Sequence, residues 1–195
     1  MERESDRKLV SLLKQRDSAA FGRVYETHRA KIYNFLARMT GQREVAKELF
    51  QETWIKLATH APRLADDTDL AGWLYTVARN LYRSHRRGER AQPSVVAVPT
   101  REPRGESPSP FDWATASETE AKLERGMMDL SPQHREVLLL VVVEGLAQDE
   151  VAAILGIGHD AVRQRLSRAR EKLALLVLGA APAAASSLEE DDARH

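Results

Sequence analysis

Arg163, Arg165, Arg168, Arg170 and Lys172 crowd one short stretch of the chain, opposed there only by Glu171. Arginine can pair with guanine, and glutamine with adenine, through two hydrogen bonds each. Arg163, Gln164, Ser167 and Arg168 are therefore candidates for reading base edges, and the other cations for holding phosphates and setting register. A solvated basic helix would carry the same charge with no partner, so charge alone does not separate the two readings. What precedes the stretch does. A short apolar segment with Val151, Ala152 and Leu155 leads into Gly156-Ile157-Gly158, and the basic segment follows. Short helix, glycine turn, basic helix is the order of a helix-turn-helix, whose second helix enters the major groove of duplex DNA.

A second basic set is Arg79, Arg83, Arg86 and Arg90, spaced four, three and four, which places them on one helix face. Trp73, Tyr75 and Tyr82 are interleaved with them. Cations among aromatics suit a nucleic acid whose bases leave the stack, because rings offer platforms while arginines track phosphates. The competing reading makes the rings core and the arginines solvated; the apolar neighbours of Trp73 favour core for that ring. Two such surfaces on one chain would strengthen binding through effective concentration.

Other chemistries find little support. The chain has no cysteine, which removes disulfides, thiolate metal sites and thiol nucleophiles and leaves the redox compartment undecided. His28, His60, His85, His134, His159 and His195 form no metal-binding spacing, and no phosphate loop or nucleophile elbow is present. Asp66, Asp67 and Asp69 could hold a divalent ion, but a solvated turn at a helix start explains them as well. No catalytic residue, metal or cofactor is expected. A stand-alone repressor would use the same helix-turn-helix, usually as a dimer on a palindrome. Lys+Arg and Asp+Glu balance at 29 each, so location of charge matters more than its sum. The charged start Met1–Asp6 and the lack of a membrane-length apolar run predict a cytoplasmic protein with no membrane insertion.

The positioning elements read as helices throughout, giving an all-α fold of two small helical domains. Phe21, Val24, Tyr25, Ile32, Phe35, Leu36 and Met39 repeat at three and four, with Asp17 or Ser18 as cap and Thr40-Gly41 as stop. A second helix is predicted over 42–60, closed by Pro62, and a third after Asp66–Asp69 with Leu70, Leu74, Val77 and Leu81 inward. Residues 4–15 add a short helix in front. Five of the eight prolines fall between Pro93 and Pro110, so residues 91–113 read as a flexible linker. It divides a first domain over 1–90 from a second over 114–178. There Ser131-Pro132 marks a helix start. Val137–Val143 reads as helix for its cap, although its propensity suits a strand. The last helix runs over 160–176 with Val162, Leu166, Ala169, Leu173 and Leu176 as its apolar stripe. The tail over 179–195, alanine-rich and then acidic, is expected to be disordered.

Three stretches resemble a known family. Gly72-Trp-Leu-Tyr-Thr-Val-Ala-Arg-Asn-Leu81 is similar to regions 2.3–2.4 of bacterial sigma factors, and Glu44–Lys56 resembles region 2.2. Leu130–Leu138, Glu144-Gly-Leu146 and Val162–Arg170 are similar to region 4. Their order resembles that of the extracytoplasmic-function (ECF) group, which keeps only regions 2 and 4. The resemblance implies a factor that binds core RNA polymerase, recognises the −10 and −35 elements of promoter DNA and helps open the duplex, commonly restrained by an anti-sigma factor. It places Glu48, Leu49, Gln51, Glu52 and Ile55 against polymerase. Asn80, with the turn over 66–70, would hold a flipped −10 base, while Arg79, Arg83 and Arg86 follow the strand. Arg163, Gln164, Ser167 and Arg168 would read the −35 element, and the linker would thread toward the RNA exit path. The chain departs from the family pattern at Lys47, normally acidic; at Ala147, normally a serine or threonine cap; and at Gly158-His-Asp-Ala161, which lacks the usual proline and Gly-Thr pair.

Overall fold

A computed structural model describes residues 2–89 and 118–178; the expected linker over 91–113 and tail over 179–195 lie outside the described residues. Among the described residues there is no strand, and the all-α expectation holds. The first half comprises α1 (Glu2–Lys14), α2 (Ser18–Thr40), α3 (Arg43–His60), a 3-10 turn over Ala61–Arg63, and α4 (Leu70–Glu89). The second comprises α5 (Glu118–Asp129), α6 (Pro132–Leu138), a π-helical segment (Leu139–Val143), α7 (Gln148–Leu155) and α8 (His159–Leu178).

Local chemistry sets these boundaries. Asp17 caps α2 by accepting from the Ala20 N–H at 2.7 Å, and Gly41 ends it in the left-handed region. Ser131 takes the cap position before Pro132 but makes no side-chain cap bond, so backbone geometry and the proline alone start α6. The run Val137–Val143 is helical, as expected, but its second half widens to π geometry, with Glu144 N–H on Leu139 O at 2.9 Å.

Phe35, Leu36, Ile32, Leu57, Leu70 and Leu74 form the centre of the first half, and Val137, Leu139, Leu140, Val151, Val162, Leu166 and Ala169 that of the second. An edge-to-face aromatic cluster of Phe21, Tyr25, Phe50 and Trp54 fills the space between α2 and α3. These two centres are continuous, because α2 and α4 of the first half pack on α5, α6 and α7 of the second. The linker reading left the placement of the halves open; here they share one core.

Candidate nucleic-acid interface

The helix-turn-helix is built as its spacing predicts. α7 closes in a Schellman motif, with Ile157 N–H bonded to Ala152 O and Gly156 N–H to Ala153 O. Gly156 sits at φ 64°, a conformation glycine adopts without penalty. At the other end of α7, alanine at position 147 has no oxygen to offer, so only the reciprocal half of a capping box forms: Glu150 Oε2 accepts from Ala147 N–H at 2.8 Å. α8 then begins with the Ala161 and Val162 N–H groups on Gly158 O.

Val162, Leu166 and Ala169 of α8 are buried, and that fixes what faces outward. Arg163, Gln164, Ser167 and Arg168 are all exposed, together on the N-terminal half of α8. Arg163 reaches back to Asp160 at 3.0 Å, and the Ser167 hydroxyl donates to Glu171 at 2.9 Å. Arg165 departs from the group: it turns inward and comes within 3.9 Å of the Glu136 carboxylate. The expected apolar stripe ends at half-buried Leu173, since Leu176 is 47% exposed beyond the end of the packed surface. Behind α8, the His134 pKa is lowered by burial first and then by Lys172, Arg168 and Arg165; its Nδ1 is buried with no partner among the described residues.

The second basic face is only partly open. Asn80 and Arg83 are exposed, and half-buried Arg86 lies 6.0 Å over the Tyr82 ring. Arg90 is outside the described residues. Arg79, expected along a nucleic-acid strand, is instead 7% exposed, with its Nε donating to Glu136 Oε2 at 3.0 Å. Helical spacing put Arg79, Arg83 and Arg86 along α4 but could not show that Glu136 of α6 meets the Arg79 end. Tyr75 and Tyr82 are buried too, so the core reading of the aromatics holds for both and neither offers a stacking platform; Trp73 is half-buried beside His60. The Tyr75 hydroxyl donates to Glu144 Oε2 at 2.6 Å. Burial, reinforced by that neighbouring carboxylate, pushes the Tyr75 phenol well above its ordinary range. Burial likewise raises Glu144, opposed by the Tyr75 hydrogen bond and by Lys31 and Arg38.

The acidic turn before α4 is occupied with structure. Asp66 pairs with Lys14 at 2.5 Å, and that hydrogen bond holds its carboxyl below the usual range. Asp69 accepts from Ala71 N–H at 3.1 Å, capping α4. Among the described residues no cluster suited to a metal ion occurs.

On α3, Glu48, Gln51, Glu52 and Ile55 share one exposed surface, and Ile55 is 61% exposed despite being apolar. Leu49 does not join them: it is 4% exposed, in the core, where a partner cannot reach it. It follows Glu48 directly, and a one-residue step turns a helix by about 100°, from surface to core. Lys47 also lies inward, with its ammonium 3.3 Å from Glu44.

Sequence reasoning gave no role to Arg135, Glu136 or Glu144, and did not predict α5. The three side chains join the halves through polar contacts, alongside an Arg38–Glu124 ion pair between α2 and α5. Their one visible signal was two adjacent charges, Arg135-Glu136, just before a run of seven apolar residues.

Comparison with known proteins agrees with this geometry. Residues 24–92 match sigma-70 region 2, and residues 120–173 match sigma-70 region 4. The chain is 33% identical over 164 residues to the RNA polymerase sigma factor CarQ of Myxococcus xanthus, covering 81% of this chain and 90% of that one. It is 27% identical to the ECF RNA polymerase sigma factor BldN of Streptomyces coelicolor, over 87% of this chain and 64% of BldN. The fold is shared with the sigma factor RpoE of Bartonella quintana, solved in complex with the anti-sigma factor NepR. That likeness has a TM-score of 0.64 at 22% identity and covers 81% of this chain and 96% of that one. The helix order, the helix-turn-helix and the two matched regions lead to one conclusion: the chain belongs to the sigma-70 family, as an RNA polymerase sigma factor of the extracytoplasmic-function type.

Proposed function

We propose that residues 1–90 and 114–178 act as two domains, with 91–113 as their linker, and divide the work of a sigma factor among three surfaces. The exposed side of α3, with Glu48, Gln51, Glu52 and Ile55, docks on core RNA polymerase in the cytoplasm. Asn80 holds a −10 base drawn from the stack, since its amide both donates and accepts, and Arg83 and Arg86 follow the phosphates, joined by Arg79 once it is released. Arg163, Gln164, Ser167 and Arg168 read the −35 element. An anti-sigma factor restrains the chain by covering these surfaces; RpoE, which shares the fold, was solved bound to such a factor.

The observation that carries this reading is the division of α8, whose buried stripe of Val162, Leu166 and Ala169 leaves the four candidate base-reading side chains in solvent on its leading half. Run-off transcription with core polymerase on a promoter library tests it. Arg168→Ala is expected to weaken recognition of one −35 position by about 1–3 kcal/mol. An equal loss on every sequence would assign Arg168 to phosphate instead. Asn80→Ala is expected to impair promoter opening more than closed-complex binding, read by permanganate reactivity of −10 thymines. Unchanged reactivity would remove Asn80 from that role.

A further inference from the structure

We infer that this sigma factor restrains itself: Glu136 is an internal competitor for the DNA phosphate that Arg79 would otherwise hold, so the free chain must open before the −10 strand can be fully engaged. This rests on the assignment of α4 to the −10 element.

Arg79 Nε lies 3.0 Å from Glu136 Oε2 and Nη2 lies 3.5 Å from Oε1. This fork-to-fork approach is the one a guanidinium makes with a phosphate, so carboxylate and phosphate compete for the same donors. Both side chains are more than nine-tenths buried. A strand therefore cannot reach Arg79 without separating α4 from α6. Glu136 is held in place by a second cation, Arg165 of α8 at 3.9 Å. One turn earlier on α4, Tyr75 is fastened to Glu144 at 2.6 Å, which adds a second clasp on the same seam. Beside the seam, a cleft of about 810 Å³ is lined by Arg83, Arg86, Arg87 and Arg165, with Glu136 the only carboxylate there among the described residues. An incoming strand meets the open arginines there first and displaces Glu136 afterwards. Affinity is then reduced by the fraction of molecules that are open, and anything that weakens a clasp raises it.

The test uses the full chain with donor and acceptor dyes on Arg23→Cys and Ala153→Cys, since the chain has no cysteine of its own and both positions are exposed. Energy transfer reports closure, and the probe is a dT20 single strand, because a phosphate contact is independent of sequence. Glu136→Gln is expected to lower transfer and tighten dT20 binding by roughly three- to tenfold. The salt slope should steepen by about 0.7, the signature of one added phosphate contact. Tyr75→Phe weakens the second clasp without touching Arg79 or Glu136, and is expected to move both readouts the same way. In an Arg79→Ala background, Glu136→Gln should bring no gain. Tightening without a fall in transfer, or a gain that survives Arg79→Ala, overturns the proposal. If Arg83→Ala leaves dT20 binding unchanged, the −10 assignment of α4 fails and the competitor role fails with it. If Arg83→Ala weakens binding but neither clasp variant changes distance or affinity, the self-restraint alone fails.

Discussion

Arg135 is where a single side chain does most to join this molecule. Its Nε donates to Met127 O at 2.9 Å, Nη1 to Met39 O at 3.0 Å and Arg38 O at 3.3 Å, and Nη2 to Leu130 O at 3.1 Å and to Met128 O. Four of these carbonyls belong to the last turns of α2 and α5, where a helix has run out of its own donors. The guanidinium has five N–H groups in one plane and uses them as a shared cap for two helices from opposite halves, with its charge complementing both dipoles. Burial pushes its pKa below the ordinary arginine value, which is the cost of placing the ion there. Arg135→Met is expected to destabilise the protein by about 2–4 kcal/mol in urea unfolding, because several carbonyls lose a charged donor at once. Arg135→Lys should recover only part, since one ammonium cannot reach acceptors spread around a planar fork. A loss below about 1 kcal/mol for the methionine variant would mean that water replaces the arginine at these carbonyls. A lone arginine beside a glutamate announces none of this in sequence, because its partners are backbone atoms that carry no residue identity.

At the scale of elements, much was legible. The three-and-four period located α2, the glycine turn located the helix-turn-helix, and the buried stripe of α8 left its four candidates in solvent. Two things were not. The run Leu139–Val143 has apolar residues at every position and so no period, and a period cannot signal a widened turn that it lacks; the π geometry exposes Val142 and Val143 on one side. α5 buries only Gly126 and Met127 along its own length, too few positions to write a stripe. The turn itself yields a prediction with two opposite signs. Gly156→Ala is expected to cost about 1 kcal/mol, purely from the left-handed backbone, because a Cβ there meets no atom within 4 Å. Two residues on, Gly158 lies at the start of α8 without a side-chain acceptor, and Gly158→Ser should gain a few tenths of a kcal/mol by capping it. Thermal unfolding of the two variants distinguishes these expectations; a neutral Gly156→Ala would show that the turn relaxes out of its left-handed conformation.

At the scale of the whole molecule, composition marked two small helical domains with a linker between them and left their arrangement open; in the structure they pack on one continuous core with a polar seam. The proline-rich segment could not place the halves, because nothing in a linker encodes what its ends will touch; α4 carried the seam residues Tyr75 and Arg79 as though they faced a ligand, and their partners Glu144 and Glu136 lie far along the chain. The seam has a further fastening that is open to a direct energetic test. Arg38 of α2 grips Glu124 of α5, with Nη2 to Oε1 at 2.8 Å and Nε to Oε1 at 2.9 Å, both side chains being mostly buried. An exposed ion pair contributes at most about 1 kcal/mol, and screening by salt removes most of it. This pair is shielded and forked, so a double-mutant cycle over Arg38→Ala and Glu124→Ala is expected to give a coupling of about 1–2 kcal/mol that persists at high salt. That coupling can exist only while α5 rests on α2. Additive losses, within about 0.3 kcal/mol, would mean the halves spend their time apart in solution, with the seam a minor arrangement of the chain.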